Sequence, residues 1–282
     1  FLNIFYFKCL DVQISQINKD SVCIFIQENQ PWEYALCYFW RKRVNNKIIG
    51  FPHTTLPFFD LRYFFSEKTF KSQFLQPHLP DIMAINGNDM KQKMLEFNYL
   101  PSKMVDVEAL RYNYLEKIIP IKKKNKTKKL LIIGDLVREI TENQLDFILE
   151  WKNLYKPDVE IIFRPHPSSE TSTYTKYNFL KFSNNSFVKD IEECDIFCVN
   201  NTTSAAADIY SLGLPLITYN DLKRINFSPL LGTDGYVQVN NIDDFNTVYY
   251  QLCEKNIYHN EFFYLNRNIP MWKNLLENLI KI

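Results

Sequence analysis

Val159-Glu160-Ile161-Ile162-Phe163 breaks at Arg164-Pro165-His166-Pro167-Ser168-Ser169; further on, Asp195-Ile196-Phe197-Cys198-Val199 breaks at Asn200-Asn201-Thr202-Thr203 and enters Ser204-Ala205-Ala206-Ala207-Asp208. Gly213 ends that alanine-rich segment, and Pro215-Leu216-Ile217-Thr218 opens another apolar run. Short runs of Ile, Val and Phe, bounded by turn residues and alternating with helical segments, predict parallel strands with crossover helices. Ligands of such sheets bind beyond the carboxyl ends of the strands. The Arg164/His166 turn and the Asn200 to Ser204 turn both fall at that edge, so they are expected to face a common crevice.

The chemistry expected there is anion binding. Thr202 or Thr203 is a good N-cap, and a helix behind it presents unpaired N–H groups and the positive end of its dipole, which suits a phosphate. Arg164 offers a planar donor fork and His166 a titratable donor. The plainer reading is a capped helix beside an ordinary strand-end turn. The coincidence of Arg-Pro-His-Pro on one strand with the hydroxyl cluster on another favours the anion site.

A His-Pro turn after one strand, followed by an Asn/Ser/Thr cluster opening a helix that ends in Gly-x-Pro, resembles the donor half of GT-B glycosyltransferases that use CMP-activated sugars: bacterial sialyltransferases, Kdo transferases and other nonulosonate transferases of surface polysaccharide synthesis. The likeness is clearest from about Lys129 to Asn220. It implies that His166, Pro167, Thr202, Thr203 and Ser204, with Asn201 beside them, hold the nucleotide phosphate of a CMP-sugar. CDP-glycerol transferases of wall teichoic acid synthesis carry a similar motif pair, so a CDP-alditol phosphotransferase is the alternative within enzymes. A non-catalytic nucleotide- or glycan-binding relative is the alternative outside them.

The chain has 282 residues, 46% of them hydrophobic and 16% aromatic, with a formal net charge of +1. Such a composition predicts a folded protein with a sizeable core and no global bias toward nucleic acid. Phe1-Leu2-Asn3-Ile4-Phe5-Tyr6-Phe7 reads as a strand of a domain whose beginning is missing, so the N-terminal domain is expected to be incomplete. No secretory pattern or membrane-spanning apolar run is read, which makes the cytoplasm the default location. Cys9, Cys23, Cys37, Cys194, Cys198 and Cys253 lack paired metal-ligand spacing, and reduced thiols are expected, with no metal site and no cofactor.

In the N-terminal half, Ser21 to Ile26 reads as a strand, Gln27-Glu28-Asn29-Gln30 as its carboxyl-end turn, and Pro31 to Trp40 as a helix ending in Arg41-Lys42-Arg43. Glu28 is placed where a catalytic carboxylate reaches a cleft, or else is a structural cap or a surface acid; Glu33 either shares that role or complements the helix dipole. Lys47 to Phe51 is a further strand, and His53 lies just past it beside Thr54 and Thr55, as a positioning or protonating group or as a turn histidine satisfied by backbone. Glu28-Asn29 with Trp32-Glu33, then His53-Thr54-Thr55, then Asp60-Leu61-Arg62-Tyr63, is similar to the acceptor-side half of bacterial surface-carbohydrate biosynthesis proteins. Pro80 to Ile85 is the next strand, and Val105 to Leu115 resembles one more strand-helix step, in which Glu108 and Arg111 are either cleft residues or, the favoured reading, a simple local pair.

Lys122-Lys123-Lys124-Asn125-Lys126-Thr127-Lys128-Lys129 reads as an exposed linker, with contact to anionic membrane lipid or an acidic glycan as the alternative. Leu130 to Gly134 then opens a second Rossmann-like domain, with Thr141 and Gln144 as a capping box for the following helix and Arg138 either a donor-phosphate contact or half of an exposed salt bridge. Trp272, Leu275, Leu276, Leu279 and Ile280 form one apolar helix face, expected to pack across on the other domain.

These readings give an α/β chain with two Rossmann-like domains facing a cleft in the GT-B manner: residues 1–121 on the acceptor side, 122–129 a lysine-rich linker, and 130–282 a donor domain with a terminal crossing helix. The expected activity is metal-independent transfer of a CMP-activated nonulosonic acid or Kdo onto a glycan or lipid-linked acceptor. Such an enzyme would work in the cytoplasm or at the inner face of the plasma membrane.

Overall fold

The computed structural model describes residues 2–72, 78–118, 127–254 and 261–280. The chain divides into two compact units, the first comprising Phe1–Leu56, Asp60–Glu116 and Glu261–Ile282, the second Pro57–Phe59 and Lys117–Asn260.

In the first unit, α1 (Leu2–Ile14) precedes β1 (Cys23–Ile26), α2 (Pro31–Arg43), β2 (Ile48–Phe51), α3 (Glu67–Lys71), β3 (Ile82–Ile85), α4 (Asn88–Glu96) and β4 (Met104–Asp106). The strands form a parallel sheet in the order β1-β2-β3-β4. Residues 2–7 are helical, where the sequence suggested a strand. Phe7, Leu10 and Ile14 recur at helical spacing, and tertiary packing uses that periodicity: Phe7 meets Tyr38 and Phe39 of α2, Leu10 and Ile14 join the cluster around Trp40, and Asp11 pairs with Arg43. After β4 the chain makes a 3-10 segment over Leu110–Lys117 in place of a regular helix.

The second unit contains β5 (Lys128–Ile133), α5 (Arg138–Tyr155), β6 (Val159–Arg164), β7 (Lys181–Phe182), α6 (Phe187–Glu193), β8 (Ile196–Asn200), α7 (Ala205–Ser211), β9 (Leu216–Tyr219), β10 (Gln238–Val239) and α8 (Ile242–Glu254). Its six parallel strands run in the order β10-β9-β8-β5-β6-β7. Alternate residues of β5 and β8, Leu130, Ile132, Ile196 and Cys198, join a core with Trp151 of α5 and Phe245 of α8, while Leu131, Phe197 and Val199 are fully buried as well. Burial of both faces is the demand a parallel sheet makes, and it explains the near-continuous apolar runs.

Three local readings change. Lys128 and Lys129, assigned to the linker, lie in β5, where Asp195 accepts from the Lys129 N–H at 2.9 Å; residues 122–126 lie outside the described part. Thr141 and Gln144 do not cap α5, which begins at Arg138; both are fully buried, Thr141 Oγ1 accepting from the Asp135 N–H and the Gln144 side chain donating to the Cys198 carbonyl. The terminal helix α9 (Pro270–Ile280) packs in the first unit, with Trp272 edge-on to Phe51 of β2 and Leu275 in the same cluster. Buried Glu108 fixes its start by accepting from the Met271 and Trp272 N–H groups at 2.8 and 3.1 Å, so Glu108 is a long-range helix cap and not a partner of Arg111. All six cysteines are free thiols, and no helix among the described residues is long and apolar enough to cross a membrane.

Candidate functional sites at the carboxyl ends of both sheets

In the second unit the turn after β8 is held by two side chains the sequence reading had not singled out. Asn200 Oδ1 accepts from the Thr202 and Thr203 N–H groups at 3.1 and 3.2 Å, and the Thr202 hydroxyl lies 2.7 Å from both Asp135 Oδ2 and Asn200 Oδ1. Asp135 Oδ1 in turn accepts from the Val137 N–H at 2.8 Å. Asp135 therefore ties the end of β5 to the end of β8. The one signal for it in the sequence was an acid directly after Gly134, whose added Cβ would stand 3.2 Å from Phe163 and Thr141.

Thr202 is accordingly not an N-cap: its hydroxyl is committed to this network, and the capping position falls to Ser204, whose side chain makes no cap bond and is exposed. Thr203 Oγ1 accepts from the Ala205 N–H at 3.4 Å, leaving its proton available. Asn201 is fully buried and donates to Asn220 at 2.8 Å, so it shapes the turn from beneath.

At the end of β6, Arg164 and, two residues past it, His166 diverge. His166 Nδ1 accepts from the Ser168 N–H at 3.2 Å, which places the neutral ring's proton on Nε2, a donor with no partner among the described residues. Arg164 is turned to its own side of the sheet: Nη1 donates to Asp190 Oδ2 and to the Asn185 carbonyl, both at 2.8 Å, and the guanidinium lies over the Phe187 ring. Asp190 is 1% exposed, so Arg164 is its counter-ion and not a free phosphate ligand. Arg138 pairs with Glu142 at 3.1 Å on the surface of α5, the salt-bridge alternative. The ends of β6 and β8 flank the end of β5, which leaves His166, Thr203 and Ser204 as the outward-facing donors along this edge, with Pro167 exposed beside them.

In the first unit the turn after β1 is locked from within. Glu33, 2% exposed, accepts from the Glu28 N–H at 3.0 and 3.1 Å and from the Asn29 N–H at 2.8 Å. Burial pushes its carboxyl above the ordinary range against the opposing pull of those N–H groups. Enclosed in this way, Glu33 supports the loop and cannot reach a substrate. Asn29, in the left-handed region at φ 55°, donates to the Arg62 carbonyl and Tyr99 Oη and accepts from Gln27. Glu28 is left pointing outward, its side chain 44% exposed, with Arg62 Nη1 3.7 Å away. Arg62 itself is neutralised by a two-pronged contact with Asp60 at 2.9 and 2.7 Å.

His53 follows β2 on a turn whose Pro52 and Thr54 carbonyls both accept from buried Asn86, at 3.2 and 3.3 Å. Its Nε2 stands 3.2 Å from Arg111 Nη1. A guanidinium is only a donor, so Nε2 accepts and the ring proton sits on Nδ1. Partial burial, then the Arg111 charge, lower the imidazole's pKa, while Glu28 opposes them. His53 is thus a neutral acceptor-oriented ring. Arg111, for which a local pair with Glu108 was the favoured reading and a cleft position the alternative, contacts His53 at this edge. No group of His, Cys, Asp and Glu suited to hold a metal ion occurs among the described residues.

No protein-family model matches the sequence, and no curated protein sequence matches it either. Solved structures do match over nearly the whole chain. The UDP-GlcNAc 2-epimerase of Methanocaldococcus jannaschii, in complex with UDP-GlcNAc and UDP, superposes with a TM-score of 0.61 at 14% identity, covering 97% of this chain and 79% of that one. The chain has a GT-B-like fold. The UDP-GlcNAc 2-epimerase of Neisseria meningitidis, bound to UDP-GlcNAc, gives a TM-score of 0.57 at 14% identity over 99% of this chain and 81% of that one. A lipopolysaccharide outer core galactosyltransferase in its apo form gives 0.53 at 9% identity over 99% and 80%. Identities this low speak for the fold, two Rossmann-like domains, and not for a shared substrate.

Proposed function

We propose that this GT-B-like chain is a glycosyltransferase that uses a nucleotide-activated sugar. The observation that carries this reading is the edge that carries His166, Thr203 and Ser204, outward donors beyond the carboxyl ends of a parallel sheet: Thr203 and Ser204 on the turn after β8 that Asp135 and Asn200 fix, and His166 on the turn after β6, its ring set by the Ser168 N–H. Donors fixed in place before the ligand arrives stabilise the charge that grows on a leaving phosphate without reorganising at the moment of reaction. In the first unit Glu28, exposed on a rigid turn, is the group suited to take the proton of an acceptor hydroxyl. His53, neutral and with Nε2 engaged by Arg111, positions and does not protonate.

The motif resemblance favours a CMP-activated nonulosonic acid or Kdo as donor. Structural neighbours solved with UDP-GlcNAc or UDP favour a uridine nucleotide. Both fit a cradle that touches the phosphate and not the base. Calorimetric titration with CMP, CDP, UMP and UDP separates them, and His166→Ala is expected to weaken whichever binds by about ten-fold, the value of one charge-assisted hydrogen bond. Mass spectrometry of the products then distinguishes transfer to an acceptor from isomerisation of the sugar nucleotide, the activity of the epimerase neighbours. Failure of all four nucleotides to bind would refute the proposal.

A further inference from the structure

The carboxyl edge of the first unit's sheet brings together three turns, and each is locked from beneath by a different buried polar side chain. Glu33 holds the turn that carries Glu28, and Asn86 holds the turn that carries His53. The third turn, after β4, carries Arg111 and is fixed by Glu108 on the α9 N-terminus, by the Ala109 N–H on the Tyr264 carbonyl at 2.8 Å, and by Tyr112 stacked on Phe263 at 3.9 Å. Loop backbones anchored in this way present their outward side chains in one arrangement, the condition for a preformed binding site.

The charges in this arrangement do not cancel locally. Asp60 occupies the guanidinium of Arg62 through two hydrogen bonds, and Glu28 is next to that same guanidinium. Arg111, in contrast, makes no ion pair among the described residues; its contact is the lone pair of a neutral imidazole. His53 steers the guanidinium without neutralising it. One exposed cation, engaged through Nη1 by His53 but not neutralised by any ion pair among the described residues, therefore stands at the same sheet edge as an exposed carboxylate, where a parallel sheet takes its ligand.

We propose that Arg111, steered by His53, binds the acid group of an anionic sugar at this edge, so that the acceptor is an acidic glycan carrying a carboxylate or a phosphate. Only the word acceptor rests on the glycosyltransferase reading above; the binding site stands without it.

The test uses the full chain with histidine side chains labelled with nitrogen-15, titrated with glucuronate, glucose 6-phosphate and glucose while the His53 ring resonances are followed. The expected result is a saturable shift with one or both acids and none with glucose, weakened about ten-fold in Arg111→Gln and only partly restored in Arg111→Lys, which keeps the charge but not the fork. Glucuronate alone identifies a carboxylated sugar and glucose 6-phosphate alone a phosphorylated one. Arg111 is exposed, so Arg111→Gln is expected to keep the circular dichroism of the parent. His166→Ala, at the nucleotide edge, should leave the acid titration unchanged, which keeps a failure here distinct from a failure of the donor reading. Equal response to glucose and the acids, no response to any of them, or an unaltered titration in Arg111→Gln would overturn the proposal.

Discussion

Arg164→Ala separates a structural arginine from a ligand-binding one. Asp190 is 1% exposed and accepts from Arg164 Nη1 at 2.8 Å and from Ser183 Oγ at 2.6 and 2.7 Å. Removing the guanidinium leaves a buried carboxylate with one hydroxyl, and breaking a buried pair from one side costs about 3–5 kcal/mol. Arg164 keeps 22% of its side chain in contact with solvent, and the serine remains, so the low end, about 3 kcal/mol, is expected. For a domain of this size that corresponds to a fall in Tm of about 6–12 °C. Differential scanning calorimetry reads it directly, and nucleotide titration well below the new Tm should return the parental Kd. The double change Arg164→Leu with Asp190→Leu should recover much of the loss, because no charge is then left buried. A Tm within about 1 °C of the parent together with a ten-fold weaker nucleotide Kd would refute the argument and return Arg164 to the phosphate site.

Other consequences follow from the same geometry. Glu33→Ala strands the N–H groups of Glu28 and Asn29 and should cost about 2–4 kcal/mol in urea unfolding while leaving nucleotide affinity intact; a drop in affinity without a drop in stability would contradict its supporting role. Glu108→Ala should cost a similar amount, about 2–3 kcal/mol, by uncapping α9, with protease cleavage near Pro270 as a second readout. Gly50→Ala places a Cβ 2.3 Å from Gln27 Oε1 and 2.9 Å from Pro80 Cγ, and a destabilisation of about 1–3 kcal/mol is expected; a neutral effect would mean that Gln27 has room to move. His53, whose pKa lies below that of the unfolded chain, contributes stability that is complete above the unfolded value of about 6.5 and is lost as pH falls through that value toward the folded one. Urea unfolding at neutral pH and at about pH 5 should therefore show a smaller difference for His53→Gln than for the parent, and an unchanged difference would exclude the partly buried neutral ring.

The sequence determined the alternation of strands and helices and the turns that face a ligand. Hydrophobic periodicity and turn chemistry are local, and they placed β1, β2, β6 and β8 within a residue or two of their ends and put Glu28, His53, His166 and Thr203 beyond strand ends. Only the tertiary structure decided which of the candidate side chains remain free. Arg164 is taken by Asp190, Thr202 by Asp135, and the Glu28 turn by Glu33, while residues 2–7 become helix because α2 offers Tyr38 and Phe39 to Phe7. Glu108 and the N-terminus of α9 are 163 positions apart in sequence, as are no two groups that a local pattern can relate. A buried charge takes the partner that the packed backbone brings within hydrogen-bond reach, and that partner is fixed by the fold and not by its neighbours along the chain.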